Sequence, residues 1–336
     1  MKDASCKVLP LWLTWEKQVR NRNLSARVGA RLVEINRPGG KLRRYALCTA
    51  KTYAALRHCR NGLVFVQNPS LLLVIEAIVM RKFLHYTLVM DAHNAGIFPA
   101  EGRRAWLQRL ADWATRRVDL VLVTNDGLAG RVRRNGGIPF VLPDPLPIFF
   151  SEARPQMQVA PESEHTALFV CTWAADEPYL EVLAAAEKLP NIRFVITGNS
   201  RGRERKFGRR VPRNVCLVGY LPDKAYERAL FDCSFVIDLT TRDDCLVCGA
   251  YEAVSAEKPF VLSDSVALRR YFRDGGVYVE NRAEAIVDGI RLLLSDYLRY
   301  TDNVSRLRPE LISEWELRYR QLQVVLDERR RARALF

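Results

Sequence analysis

No stretch of this chain reads as a membrane-spanning helix. The most apolar window, Leu63 to Met80, is interrupted by Gln67, Asn68 and Glu76, and a span needs about 20 mostly apolar residues. A secretory signal is not expected either. Lys2 and Lys7 precede a segment that Glu16, Lys17 and Arg20 break after a few apolar positions. The eight cysteines, at 6, 48, 59, 171, 216, 233, 245 and 248, have no disulfide-like spacing, so free thiols in a reducing compartment are expected. Cys245 and Cys248 form a single CxxC without a second pair or a nearby histidine. A zinc site needs four ligands, so no metal is assigned. Nor does any nucleic-acid reader motif or aromatic-basic interleaving accompany the basic residues.

What is present is alternation. In the first half, apolar runs near Val8–Thr14, Leu32–Ile35, Leu63–Gln67, Tyr86–Asp91, Leu120–Thr124 and Phe140–Leu142 alternate with helical stretches. The second half repeats this near Ala167–Cys171, Arg193–Thr197, Val215–Gly219, Phe235–Leu239, Phe260–Leu262 and Val277–Val279. That pattern predicts α/β architecture, with parallel sheets covered by helices on both faces. The 336 residues, 49% of them apolar, suffice for two such domains. Pro143-Asp-Pro-Leu-Pro147 and the polar stretch through Pro155 and Pro161 to His165 read as the linker. The expected domains are 1–150 and 151–305, with 306–336 as a C-terminal segment belonging to a final helix that runs from about Asp302 to Arg333.

Charge is divided unevenly. Residues 1–150 hold 24 Lys and Arg against 10 Asp and Glu, whereas residues 151–336 hold 28 of each. All the surplus therefore sits in the first half, a field that suits an anionic leaflet, a lipid pyrophosphate or nucleic acid. Between Gly102 and Arg117, Trp106, Leu110 and Trp113 recur at helical spacing among Arg103, Arg104, Arg109, Arg116 and Arg117. This fits a helix in a headgroup region, or an ordinary helix whose Trp face packs on the sheet.

The most informative stretch is 232–263. Strand Phe235–Leu239 runs into the polar turn Thr240 to Asp244, then a helix from about Leu246 to Ala256, Lys258-Pro259 and strand Phe260–Leu262. Ligands of open α/β sheets bind at the carboxyl ends of strands. Asp244 and Glu252 lie eight residues apart, about two helical turns if Asp244 opens the helix, which would put both in one cleft. A carboxylate can accept from both hydroxyls of a ribose diol, and a helix N-terminus suits a phosphate. The alternative is a capping Asp244 and a solvated Glu252.

Asp244-x7-Glu252 with Lys258-Pro259 resembles the Glu-x7-Glu and "KP-V" signature of family-four GT-B glycosyltransferases. Thr172-Trp173-Ala174-Ala175-Asp176-Glu177-Pro178 is similar to the "SW-x-DED" donor-domain opening of the β-1,4-mannosyltransferases that extend chitobiosyl-pyrophosphoryl-dolichol. Val66-Gln67-Asn68-Pro69-Ser70 and Asp91-Ala92-His93-Asn94 resemble that family's "QNPP" and "D-x-HN". The matches follow the family's order over positions 66–259.

The resemblance implies a GT-B fold, with two Rossmann-like doubly wound domains facing a cleft and a C-terminal helix crossing back to the first. It implies a metal-independent hexosyltransferase of bacterial glycan or polysaccharide biosynthesis, cytoplasmic and peripheral at the inner face of the cell membrane. Its partners would be a UDP- or GDP-type sugar donor, a lipid-linked or growing glycan acceptor and the anionic membrane surface, with no separate cofactor. Glu252 is expected to hold the ribose. Asp244 stands where the family has Glu, and Thr240, Thr241 and Arg242 would lie near the diphosphate and sugar. Asn199, Arg201 and Arg203 follow one strand of the second half and Tyr220 follows the next, so they are carried as donor contacts. His93 is expected to take the acceptor proton or touch the transferred sugar, with Asp91 orienting it or acting as base. Trp15, Arg20, Asn23, Asn68 and Asn94 would line the acceptor side. The glycine-rich loop of many retaining enzymes is absent, and Cys171 to Pro178 contains no basic residue. Retention and inversion both stay open. Other readings are a non-catalytic GT-B scaffold, a nucleic-acid-binding protein and a nucleotide-sugar epimerase.

Overall fold

The computed structural model describes residues 9–36, 40–68, 70–149, 165–202 and 211–334. Arg203, Cys6, Pro69 and the 151–164 part of the linker lie outside the described residues. Residues form two compact units, Met1–Asp144 with Trp315–Phe336, and Pro145–Glu314.

The first unit runs β1 Leu11–Thr14, α1 Val19–Arg27, β2 Arg31–Glu34, α2 Lys41–Leu56, β3 Leu63–Asn68, α3 Leu71–Leu84, β4 Thr87–Ala92, α4 Asn94–Ile97, α5 Ala105–Arg117, β5 Leu120–Val123, α6 Asp126–Arg134 and β6 Pro139–Val141. The second runs β7 Thr166–Phe169, α7 Tyr179–Glu187, β8 Arg193–Thr197, β9 Val215–Gly219, α8 Asp223–Asp232, β10 Phe235–Asp238, α9 Cys248–Ser255, β11 Phe260–Ser263, α10 Val266–Phe272, β12 Gly276–Val279 and α11 Ala283–Ser295. Helix α12, Tyr297–Ala334, ends the chain's described part. Each strand overlaps one that the apolar runs predict.

Both sheets are wholly parallel, with orders β2-β1-β3-β4-β5-β6 and β12-β11-β10-β7-β8-β9. Parallel strands need crossover connections, which is why helices alternate with strands throughout. Strand order reverses between β1 and β3 in the first sheet and between β7 and β10 in the second. Those switch points are where loops at the carboxyl ends splay apart and leave room for a ligand.

In the first unit, one sheet face packs under α2, α3, α5 and α6 around Leu13, Val66, Met90 and Val123. The other, with Trp12 stacked on Phe65 at 4.8 Å, is covered by Leu24 of α1 and by Trp315, Tyr319, Leu322 and Leu326 of α12. Trp315 Nε1 donates to Pro143 O at 3.0 Å. The last part of the chain thus completes the first unit's core, as expected of a helix returning to the first domain. It joins that unit at Trp315 rather than 306, because Leu307 and Leu311 pack in the second unit's core with Phe260 and Phe272. The second unit's other core gathers around Phe169, Trp173, Phe194 and Ile237.

Candidate active site

The loops leaving β7 and β10 meet at the second sheet's switch point. Strand β7 exits into residues 170–178, where Trp173 adopts a left-handed φ of 62° and buries its indole, with Nε1 donating to Thr197 O at 3.0 Å. That turn aims backbone N–H groups inward, and the Glu177 carboxylate collects them. It accepts from Thr172 N at 2.9 Å, Ala174 N at 2.8 Å and Thr172 Oγ1 at 2.7 Å. Gly198, at the end of β8, closes the same corner with φ +83°. A Cβ there would lie 2.0 Å from Cys171 O, so no other residue fits without moving backbone.

Strand β10 exits into residues 239–247. Buried Thr240 donates from Oγ1 to Asp176 Oδ2 at 3.1 Å, and the Arg242 guanidinium pairs with that carboxylate at 3.2 Å. Thr241 N donates to Asp176 O at 2.8 Å. The loop is also pinned to β11 and β12: Thr240 N donates to Ser263 Oγ at 2.9 Å, and Asn281 Nδ2 donates to Thr240 O at 2.9 Å. Thr240, Thr241 and Arg242 are therefore brought together at the switch point, with Asp176 as their hub. Thr240 and the Thr241 backbone are spent on the protein itself.

Asp238, the last residue of β10, is buried, and its Oδ2 accepts from Gly249 N at 2.7 Å. Burial raises its pKa well above the ordinary carboxylate value, with the nearby Glu252, Glu177 and Asp176 charges adding to the shift against the pull of the Gly249 bond. Glu252, on α9, accepts a hydrogen bond from Tyr226 Oη of α8. Burial pushes it up to about 7 and the Tyr226 bond pulls the other way. Glu252 is therefore not a solvated helix residue. The half-buried Tyr226 hydroxyl has its pKa raised first by desolvation and then by the Glu252 charge.

Asp244 does not open the helix. It lies in a turn four residues before Cys248, the first residue of α9, and an extended segment intervenes. The two-turn relation between Asp244 and Glu252 therefore fails, because Val247 rather than Asp244 is the N-cap. Asn199 uses its side-chain oxygen on its own turn, accepting from Arg201 N at 3.1 Å, and both residues are exposed. Tyr220 is 81% exposed.

The acceptor-side candidates divide differently. Arg20 is buried and donates to Asp91 through Nε at 3.1 Å to each carboxylate oxygen and through Nη2 at 2.8 Å. Its Nη1 reaches Asp144 at 2.7 Å and its Nη2 reaches Leu142 O at 3.1 Å. Burial alone would lower the guanidinium pKa, but Asp91 and Asp144 overcome it and raise it. Arg20 thus fastens α1 to β4 and the end of the first sheet instead of lining an entrance. Asp91, fully buried and engaged at both oxygens, is unsuited to be a base. Asn68 is also buried, donating to Gly96 O at 2.8 Å, and is a structural clamp rather than an acceptor contact. Trp15 is half-buried on the core and donates to Thr52 Oγ1 at 3.0 Å. Asn23 and Asn94 are half-buried on α1 and at the start of α4. His93 keeps partial exposure, and its buried Nε2 has no hydrogen-bond partner, standing 3.8 Å from Asp91 Oδ2.

Sequence reasoning missed Tyr226 and Asp238. A lone acid closing the apolar run Phe235-Val-Ile-Asp238 was a usable signal, whereas nothing local marks Tyr226, 26 residues before its partner.

Residues 151–308, just under half of the chain, match the family model described as "Glycosyl transferases group 1". That half is similar to the group 1 glycosyl transferases. Solved structures place it on a GT-B fold. HepE from Anabaena, in complex with UDP and glucose, superposes with a TM-score of 0.69 at 12% identity, covering 95% of this chain and 99% of that one. Sucrose-phosphate synthase from Thermosynechococcus elongatus gives 0.73 at 15%, covering 96% and 99%. S. aureus TarM, in complex with fondaparinux, alpha-GlcNAc-glycerol and UDP, gives 0.64 at 14%, covering 84% of this chain and 59% of that one. A search of curated protein sequences gave no match. Among the described residues, no helix is long and apolar enough to cross a membrane.

Proposed function

We propose that the protein transfers a sugar from a nucleoside diphosphate donor to a lipid-linked or growing glycan acceptor at the cytoplasmic face of a membrane. The observation that carries this is Glu252: a half-buried carboxylate, oriented by Tyr226, on the helix that follows the switch-point strand of the second unit. An ionised carboxylate so held accepts from both ribose hydroxyls at once. The UDP and UDP-glucose complexes of HepE favour a uridine donor over a guanosine one.

Arg242, beside Thr240 and Asp176, would oppose the charge that develops on the leaving diphosphate. Fixed donors of this kind lower a barrier because they need no reorganisation as charge forms. As the donor bond breaks, the acceptor oxygen takes the anomeric carbon and the nucleoside diphosphate departs. His93 is the first-unit candidate for the acceptor proton, since Asp91 is occupied by Arg20. We assign no further cofactor or metal to this reaction. Asp244 remains a candidate for a sugar hydroxyl through the loop rather than the helix.

Thermal melts with UDP, GDP, ADP and CMP compounds, on the wild type and Glu252→Ala, test the reading. A saturable rise with one nucleotide, lost in the variant, supports it and identifies the base. No rise with any nucleotide overturns it in favour of a non-catalytic scaffold.

A further inference from the structure

Helix α3 lies between α2 and α5 on the first sheet. Its inner side fills the core with Leu73, Val74, Ala77 and Ile78. Its outer side should then be polar, yet Leu72, Val79 and Phe83 fall on one exposed stripe, with Phe83 70% accessible. Tyr53 of α2 and Trp106 of α5 are likewise exposed on the flanking helices. Trp113, by contrast, packs on the core under Arg117, so the two tryptophans of α5 part company.

The surrounding charge is mostly positive. Helix α2 carries no acidic residue, α3 one (Glu76) and α5 one (Asp112), against Lys51, Lys82, Arg104 and Arg109 among others. Glu76 accepts from Thr49 of α2 through one oxygen and faces the groove between the two helices rather than the stripe. Asp112 is occupied by Arg131 at 3.0 Å, and Glu101 by Arg103 at 2.7 Å. Asp119 holds Arg81 of α3 at 2.8 Å and Arg333 of α12 at 3.1 Å. That bridge draws the arginine-rich end of the chain, Arg329 to Arg333, to the end of α3 that bears Phe83.

We infer that the outer face of α2, α3 and α5 docks on an anionic lipid leaflet, with Phe83, Val79 and Trp106 entering the headgroup boundary and the basic residues meeting lipid phosphates. Apolar side chains framed by Lys and Arg are what such a surface rewards. A nucleic acid would use the arginines but offers nothing to Leu72 and Val79. A second copy of this unit would bring like charge against like, since the unit holds 30 Lys and Arg to 13 Asp and Glu. The inference rests on the proposed lipid-linked acceptor and supplies the surface that would deliver it.

The test is co-sedimentation of the full chain with vesicles of equal phosphatidylcholine and phosphatidylglycerol, and with phosphatidylcholine alone. The wild type is expected to sediment with the anionic vesicles only, and less as salt rises. Val79→Ser with Phe83→Ser, and separately Lys82→Glu with Arg104→Glu, should each weaken binding by about tenfold or more, as lost apolar burial and lost attraction to lipid phosphates require. All four positions are surface ones, and an unchanged nucleotide melt shows that each variant is folded and its donor site intact. Wild type that ignores anionic vesicles, or variants that bind as well as wild type, overturns the docking face while a nucleotide shift leaves the transferase reading standing. A Phe83-dependent dimer in sedimentation velocity, or binding to a DNA duplex in preference to vesicles, overturns it as well.

Discussion

The two units bury an aspartate at the end of the same strand of each parallel sheet, the fourth in sequence, and treat it in opposite ways. In the first, Asp91 ends up against the Arg20 guanidinium, which Asp144 and Leu142 O hold from its other side. In the second, Asp238 meets the Gly249 N–H, and its neighbourhood is acidic. A buried carboxylate with a guanidinium is neutralised as a pair and becomes scaffold, whereas one without is pushed towards its protonated form and leaves its surroundings titratable. The charge budget of the surfaces runs the other way. The first unit has a surplus of 17 positive charges, while the second holds 22 Lys and Arg against 25 Asp and Glu. The first unit clamps its buried aspartate with a guanidinium and is basic outside. The second holds Asp238 and Glu252 by hydrogen bonds from Gly249 N and Tyr226 instead of by a guanidinium.

The comparison can be broken most forcefully at Arg20. Arg20→Met makes the first unit resemble the second by leaving Asp91 buried without its cation, and should cost about 3–5 kcal/mol. Urea unfolding should show that loss, and adding Asp91→Asn should recover part of it. Gly198→Ala strikes the second unit's corner, where the new Cβ meets Cys171 O in a left-handed backbone. A loss of about 2–4 kcal/mol is expected, together with weaker nucleotide binding, because the Glu177-centred turn must shift.

Protonation sharpens the contrast more gently. With Glu252 ionising near 7 in the fold, nucleotide affinity should be level above that pH and about tenfold weaker by pH 6, since only the ionised fraction competes for the diol. Calorimetry across pH 5.5 to 8.5 reads this directly. Glu252→Gln should bind weakly and without pH dependence, and Tyr226→Phe should move the midpoint upward, because the bond it removes favours the carboxylate. The smallest effect concerns Asp238. Its raised folded pKa stabilises the fold only at acid pH, and that contribution is lost as pH rises from the ordinary Asp value through the folded one. Asp238→Asn keeps an acceptor for Gly249 N and should flatten that part of the stability-against-pH curve.

Much of the fold was legible because it is written locally. Runs such as Leu63-Val-Phe-Val66 and Phe235-Val-Ile237 are apolar on both faces, which only a sheet covered on both sides demands, and the helices between them follow from parallel pairing. That Thr240 to Arg242 follow a strand and Glu252 lies on the next helix was legible because the strand–turn–helix order is itself a sequence feature. Arg20 and Asn68 were misplaced for a physical reason. A polar residue just beyond a strand looks the same in sequence whether it faces a ligand or a buried carboxylate, and the deciding partner, Asp91, lies 71 residues from Arg20.

Two parallel α/β halves, their strand limits to within a few residues, the charge asymmetry and the strand–turn–helix order at 235–255 could be read from the chain alone, because propensity, periodicity and net charge need no knowledge of neighbours in space. Folding in three dimensions was needed to set which acids meet a guanidinium, that Tyr226 orients Glu252, and that Asp119 gathers Arg81 and Arg333 beside Phe83. Those outcomes depend on burial and on partners brought together across tens to hundreds of residues, and desolvation acts only once the chain has closed around them.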